Sequence, residues 1–120
     1  MKNKTLVLGA SDNPSRYSNM AMLRLQDHGH AVVAVGKKAG VVNGMEILTT
    51  PPETEEIDTV TLYLNPDHQK AYYDYIFSLS PRRIIFNPGT ENTELEELAA
   101  WRGIKVKEAC TLVMLGTGQY

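Results

Sequence analysis

The sequence predicts an α/β fold: a mainly parallel, doubly wound sheet of five or six strands, covered on both faces by helices to make three layers. Three observations point there. Apolar runs such as Thr5-Leu6-Val7-Leu8 and Ala31-Val32-Val33-Ala34-Val35 end in glycine. They lack clean alternation, as strands buried on both faces do. Helical periods separate them, and right-handed crossovers then set the strands parallel in one sheet.

The elements follow in order. Residues 5–9 form the first strand, and the polar stretch 11–16 leads into a helix over 18–28 closed by Gly29. Residues 31–36 are the second strand. The segment 39–56 is weaker: Met45-Glu46-Ile47-Leu48 suits a small strand and Thr50-Pro51-Pro52 a turn. Residues 57–64 read as a long third strand. Asn65-Pro66 is a helix start, with asparagine as cap and proline in the first turn. Tyr72, Ile76 and Leu79 then make one apolar stripe, which leaves Tyr73 or Tyr75 to face a partner. Residues 83–87 form the next strand. Asn92 caps a helix with Leu95, Leu98 and Ala99 on one face, ended by Gly103. Residues 104–106 are a short strand near a sheet edge, and 109–115 a last short helix.

At 120 residues the chain has material for one domain, residues 1–120, and none for a separate recognition domain. No apolar run is long enough to cross a membrane. The start, Met1-Lys2-Asn3-Lys4, passes directly into the first strand, which predicts no leader and a cytoplasmic protein. A single cysteine, Cys110, excludes an internal disulfide and a cysteine-rich zinc site. His28, His30 and His68 form no metal-binding pattern, so no metal is expected.

Charge is uneven. Residues 1–43 carry six basic and two acidic residues, a net of +4, whereas residues 44–100 carry three basic and eleven acidic ones, a net of −8. A positive first third suits a small phosphorylated ligand. It is too sparse in cations, and too free of interleaved aromatics, for nucleic acid. The carboxylates at 53–58 and 91–97 read as solvated or helix-capping groups rather than acid–base pairs.

In open α/β sheets, ligands sit beyond the carboxyl ends of the strands. The loop 9–18, Gly9-Ala10-Ser11-Asp12-Asn13-Pro14-Ser15-Arg16-Tyr17-Ser18, is the most informative. Gly9 and Ala10 permit close approach, and backbone amides at the following helix start can meet a phosphate. Ser11 and Ser18 offer hydroxyls, and Arg16 a guanidinium fork. The loop lacks the later glycines of the dinucleotide fingerprint and the Gly-Lys-Ser/Thr of a P-loop. After the second strand stands Gly36-Lys37-Lys38, where an NAD site wants an acidic residue. Lys37 and Lys38 favour a phosphorylated ribose, hence NADP or a 3′-phosphorylated adenosine such as coenzyme A (CoA).

The stretch Val7-Leu8-Gly9-Ala10-Ser11-Asp12-Asn13-Pro14-Ser15-Arg16-Tyr17-Ser18 resembles the opening signature of small stand-alone CoA-binding domain proteins. Their Rossmann-like fold is similar to the N-terminal CoA-binding domain of the succinyl-CoA ligase α subunit. The resemblance runs over roughly residues 4–113. It implies that Gly9, Ala10, Ser11, Asn13, Pro14 and Arg16 line a pyrophosphate, with Val35 and the residues after it near the adenosine. It also implies that Tyr63-Leu64-Asn65-Pro66 lies over the nucleotide, with Pro66 matching a usual proline. Asn87 and Gly89 stand where the family tends to have glutamine and glycine. Pro88 replaces a leucine-like residue, and Gly36-Lys37-Lys38 lacks the common proline after the second strand.

The expected function is therefore binding of CoA or an acyl-CoA by a module without evident catalysis. The alternative is a small NADP-dependent or CoA-thioester-utilising enzyme with Cys110 near its site. Cys110 precedes the last helix, where a thiol pKa can fall, but the favoured reading is a quiet packed thiol, with Cys110 a weak candidate for catalysis. Met20 and Met22 read as packing residues. An edge strand and the tyrosine-rich helix leave room for a homodimer or a partner subunit.

Overall fold

A computed structural model describes residues 3–53 and 56–120. Thr54 and Glu55 of the first acidic cluster, and Met1 and Lys2 of the N-terminal reading, lie outside the described residues. Seven strands form one sheet in the order β3-β4-β2-β1-β5-β6-β7. They are β1 (Thr5–Leu8), β2 (Val32–Val35), β3 (Gly40–Val42), β4 (Met45–Leu48), β5 (Thr59–Leu62), β6 (Arg83–Phe86) and β7 (Lys105–Glu108). The helices are α1 (Tyr17–Asp27), α2 (Pro66–Gln69), α3 (Tyr73–Leu79), α4 (Thr93–Trp101) and α5 (Thr111–Gly116), with a 3₁₀ turn at Lys70–Tyr72 between α2 and α3.

The Rossmann-like α/β reading holds, but the sheet has seven strands rather than five or six. The difference lies at 40–48. Asn43 and Gly44 have φ of 47° and 83°, the left-handed pair of a type I′ turn. That turn folds β3 back antiparallel on β4, pairing Val42 with Met45 and Gly40 with Ile47. Every other pairing is parallel. The Asn-Gly pair was the signal for the extra strand.

Side chains of β1 alternate between two cores. Leu6 and Leu8 join Val60, Leu62, Ile84 and Phe86 under Ile76 of α3 and Leu95 and Ala99 of α4. Val7 faces the other way, with Ala34 and Ile47, under Met22 and Leu25 of α1 and Leu115 of α5. This gives the three layers. β7, with Lys105 and Lys107 exposed, is the sheet edge the sequence indicated. Lysines on an edge strand discourage pairing with another chain.

Several side chains depart from expectation. Leu98 is 41 % exposed and lies off the buried face of α4, because only residues 95 and 99 stack one turn apart toward the sheet. Met20 is exposed, although Met22 packs as expected. Tyr73 and Tyr75 are half-buried against the core, and their hydroxyls are engaged. Tyr75 donates to the Pro52 carbonyl at 2.9 Å and Tyr73 to the Glu94 carboxylate at 3.1 Å.

The opposite, amino-terminal end of the sheet is closed by Tyr120. Its ring lies 4.3 Å from the buried Arg83 guanidinium, its hydroxyl bonds to Thr5, and its carbonyl accepts from Arg83 Nη2 at 3.0 Å.

Candidate functional site

From β1 the chain passes to β2, crosses to the edge strand β3, turns back into β4 beside β2, then returns to β5 on the other side of β1 and continues to β6 and β7. The strand order therefore reverses between β1 and β5, where an open α/β sheet forms its ligand crevice. Three strand ends meet there by direct backbone contact. The amides of Gly9 and Ala10 both donate to the Val35 carbonyl at 2.9 Å. Gly9 has φ +100°, and a side chain on it would press within 3.0 Å of the Tyr63 backbone. A Cβ at Gly36 would lie 2.2 Å from the Ala10 carbonyl oxygen. Val35 itself is fully buried, so it serves the site through its carbonyl.

The loop after Ala10 is held in shape by its own polar groups. Ser11 Oγ accepts from the Asn13 amide at 3.1 Å. Asn13 Oδ1 accepts from the Ser15 amide at 3.0 Å and the Ser15 hydroxyl at 2.8 Å. The Asn13 carbonyl receives the Arg16 amide at 3.0 Å. From α1, the buried Asn19 donates Nδ2 to the Ser11 carbonyl at 3.1 Å, fastening the loop to the helix. Asn19 went unnoticed in the sequence; its one signal is a polar residue on the buried face that Ala21, Met22 and Leu25 also form.

Asn13, Pro14 and Arg16 stay exposed, whereas Ser18 is buried. Arg16 occupies the N-cap of α1, and no side chain caps that helix. By contrast, Asn65 Oδ1 accepts from the His68 amide at 3.1 Å at the start of α2, and Asn92 Oδ1 from the Leu95 amide at 3.3 Å at the start of α4. Helix geometry leaves the Tyr17 and Ser18 amides without intrahelical partners. The α1 start is thus a positive, donor-rich end. Lys37 and Lys38 are exposed after β2, the strand next to β1, and neither forms an ion pair among the described residues. Asp12 lies over Gly40, at the start of the hairpin.

The other predicted positions sit on the β5–β6 side. Pro66 opens α2. The Gly89 amide donates to the Glu91 carboxylate at 2.9 Å. Asn87 is buried and its amide is fully engaged within the protein. Its Nδ2 donates to Thr61 Oγ1 at 2.7 Å and the Leu62 carbonyl at 2.9 Å, and its Oδ1 accepts from the Thr111 amide at 2.9 Å. Asn87 therefore ties β5, β6 and the start of α5 together and holds a loop in place, with no amide hydrogen left over for a ligand.

Cys110 is half-buried at the N-cap of α5, close to the Tyr63 phenol. The Tyr63 hydroxyl is buried and lacks a hydrogen bond, although the Thr111 and Thr61 hydroxyls are near and bond to each other at 2.8 Å. Burial pushes the phenol up from 10.0 to about 12. A raised phenol holds its proton more tightly in the folded state, so this contribution to stability is whole below pH 10.0 and is lost as pH rises through about 12. Tyr63→Phe removes an unpartnered hydroxyl. It should leave stability at pH 8 unchanged or raise it by about 1 kcal/mol, and should lessen the alkaline loss. Urea denaturation at pH 8 and again between pH 10.0 and about 12 checks this; a clear loss at pH 8 would mean that the hydroxyl has a partner.

Charge divides the carboxyl-terminal edge. Arg16, Lys37 and Lys38 follow β1 and β2, whereas Glu91, Glu96 and Glu108 gather around β6 and β7. Burial raises the Glu96 carboxyl pKa, and Glu108 and Glu91 beside it raise it further. An anionic group is drawn to the β1–β2 half and repelled from the β6–β7 half. Among the described residues no cluster of His, Cys, Asp or Glu could hold a metal, and no helix is long and apolar enough to cross a membrane.

A solved structure described as that of an uncharacterized protein is 50 % identical to this chain, with a TM-score of 0.96, over 100 % of this chain and 99 % of that one. A hypothetical protein from Pyrococcus horikoshii OT3 has 24 % identity and a TM-score of 0.87, covering 97 % of this chain and 83 % of its own. A Thermus thermophilus structure has 21 % identity and a TM-score of 0.84, covering 98 % and 91 %. These last two show the shared fold. No curated protein matches the chain. The model of the CoA binding domain family matches residues 3–116, which span the crevice, the α1 start and both outer loops. This chain belongs to the CoA binding domain family.

Proposed function

We propose that this chain binds CoA or an acyl-CoA across the carboxyl ends of β2, β1 and β5, as a binding or regulatory module. The observation that carries the reading is the start of α1. It is the helix at the switch point, it has no side-chain cap, and Arg16, Lys37 and Lys38 lie on its side of the sheet edge. The pyrophosphate would take the α1 amides, the Ser11 and Ser18 region and Arg16. The 3′-phosphate would take Lys37 and Lys38. The uncharged arm would then run toward the loops after β5 and β6, where the surface turns acidic. The donor set supports the reading: free amides and exposed cations lie on this half of the edge, the first turn of α1 holds no acidic residue, and Asp12 is the one carboxylate of the loop, lying over Gly40.

Calorimetric titration with CoA, dephospho-CoA, NADP and NAD tests this. CoA should bind most tightly, and dephospho-CoA about tenfold more weakly for the loss of one charge-assisted contact. Equal affinity for CoA and dephospho-CoA would remove the role of the lysines. Preference for NADP would replace CoA with the other phosphorylated ribose. Absence of binding by all four would end the proposal.

A further inference from the structure

We infer that Gln69 is a positioning residue for the ligand site, bolting the loop after β5 to the loop after β6 so that both meet the ligand as one surface. Gln69 closes the short helix α2 and is 0 % exposed. A buried amide has two donors and an acceptor to satisfy, and leaving any of them unmade is costly. Here each is satisfied across the gap. Nε2 donates to the Leu64 carbonyl and to the Thr90 carbonyl, both at 2.8 Å. Oε1 accepts from Asn92 Nδ2 at 2.8 Å. Two facing carbonyls dictate which end of the amide is the nitrogen.

The partners are divided between the loops. Leu64 belongs to the segment between β5 and α2, whereas Thr90 and Asn92 belong to the segment between β6 and α4. The second loop is itself braced. The Thr90 amide and hydroxyl both donate to the Asn87 carbonyl, at 2.9 and 2.7 Å. The Asn92 amide donates to Glu96 Oε2 at 3.1 Å, and Asn92 Nδ2 also donates to Tyr73 Oη at 2.8 Å. Gln69 thus joins two stiff pieces at one point. Leucine would fill the space and make none of the bonds. Glutamate would aim a carboxylate at two carbonyl oxygens. Only an amide of this length supplies two donors and one acceptor there.

The inference rests on the proposed placement of CoA. In that placement the phosphates lie over β1 and β2, where the bolt acts only through Leu64 packed against Gly9, and the uncharged arm lies along the bolted loops themselves. Loosening the bolt should therefore weaken CoA more than the fragment adenosine 3′,5′-bisphosphate, which lacks that arm.

The test compares wild type, Gln69→Leu and Asn92→Asp by calorimetry with both probes and by amide hydrogen exchange without ligand. Asn92→Asp keeps the acceptor that caps α4 and loses the donor to Gln69, so it reads the same bolt if Gln69→Leu fails to fold. In Gln69→Leu, CoA affinity should fall about tenfold while affinity for the bisphosphate falls less than about threefold. Asn92→Asp should shift both in the same sense. Exchange should quicken in residues 62–66 and 87–92 together and change less in 9–18. A merely structural loss, which lowers the folded fraction, would weaken both probes by one common factor. That result, or unchanged CoA affinity, or loosening of one loop alone, would overturn the inference. If wild type binds neither probe, the proposed function fails, and hydrogen exchange alone decides whether the two loops move as one.

Discussion

Gly36→Ala is expected to destabilise the protein by about 3 kcal/mol, at the upper end of what overpacking a tight site costs. The added Cβ would stand 2.2 Å from the Ala10 carbonyl oxygen, with Ile47 Cγ2 at 3.2 Å on another side. The nearest atom belongs to the backbone, so no rotamer change relieves the clash. Either β2 or the loop after β1 must move. Both are tied to the site, because the Gly9 and Ala10 amides donate to the Val35 carbonyl one residue before Gly36. The substitution should therefore also weaken CoA binding beyond what the folded fraction explains. Urea denaturation and calorimetry on the same preparations check the two parts. An unchanged urea midpoint would show that the close approach relaxes freely.

Asn87→Ala should cost about 3 kcal/mol as well, by another route. The deletion leaves the Leu62 carbonyl and the Thr111 amide without their buried partner, each worth about 1–3 kcal/mol. Thr61 and Thr111 keep their mutual hydroxyl bond, which limits the damage. The loss should appear in thermal unfolding, and the start of α5, with Cys110 at its cap, should become more accessible to thiol reagents. The rate of Cys110 modification reads that opening directly. A stable variant with unchanged thiol reactivity would show that Asn87 does not tie α5 to the sheet.

Cys110 sits at the start of a helix, beside the Tyr63 phenol, in surroundings that Asn87 and Thr111 hold rigid. Its place at the edge of the β5–β6 loops makes its reactivity a useful probe of whether ligand covers that end.

Local pattern was enough to read the scaffold. Apolar runs placed β1, β2, β5 and β6, the first two ended by glycine, because strands buried on both faces need no alternation. The Asn65-Pro66 and Asn92 signals placed the starts of α2 and α4 through bonds that span three residues. The loop 9–18 and Lys37-Lys38 were legible as candidate ligand-facing residues for the same reason: they are defined by neighbours in sequence.

The site's supports were not legible, because they are made by residues distant in sequence. Asn19 reaches back to Ser11, Gln69 spans 21 residues to Thr90, and Asn87 spans 26 to Thr61 and 24 to Thr111. Composition cannot distinguish a buried amide that braces two loops from one that faces a ligand. Asn87 stands at a position the family resemblance marks for the ligand, and its side-chain amide is engaged in tying β5, β6 and α5. Gln69 looked like an ordinary helix residue and holds two loops. By itself, the sequence determined six of the seven strands and the glycine-ended turn that opens the candidate loop 9–18, since both depend on local backbone preference and short-range hydrogen bonds. Only the tertiary structure decided which polar side chains remain for a ligand, since that depends on the partners folding brings within 3 Å.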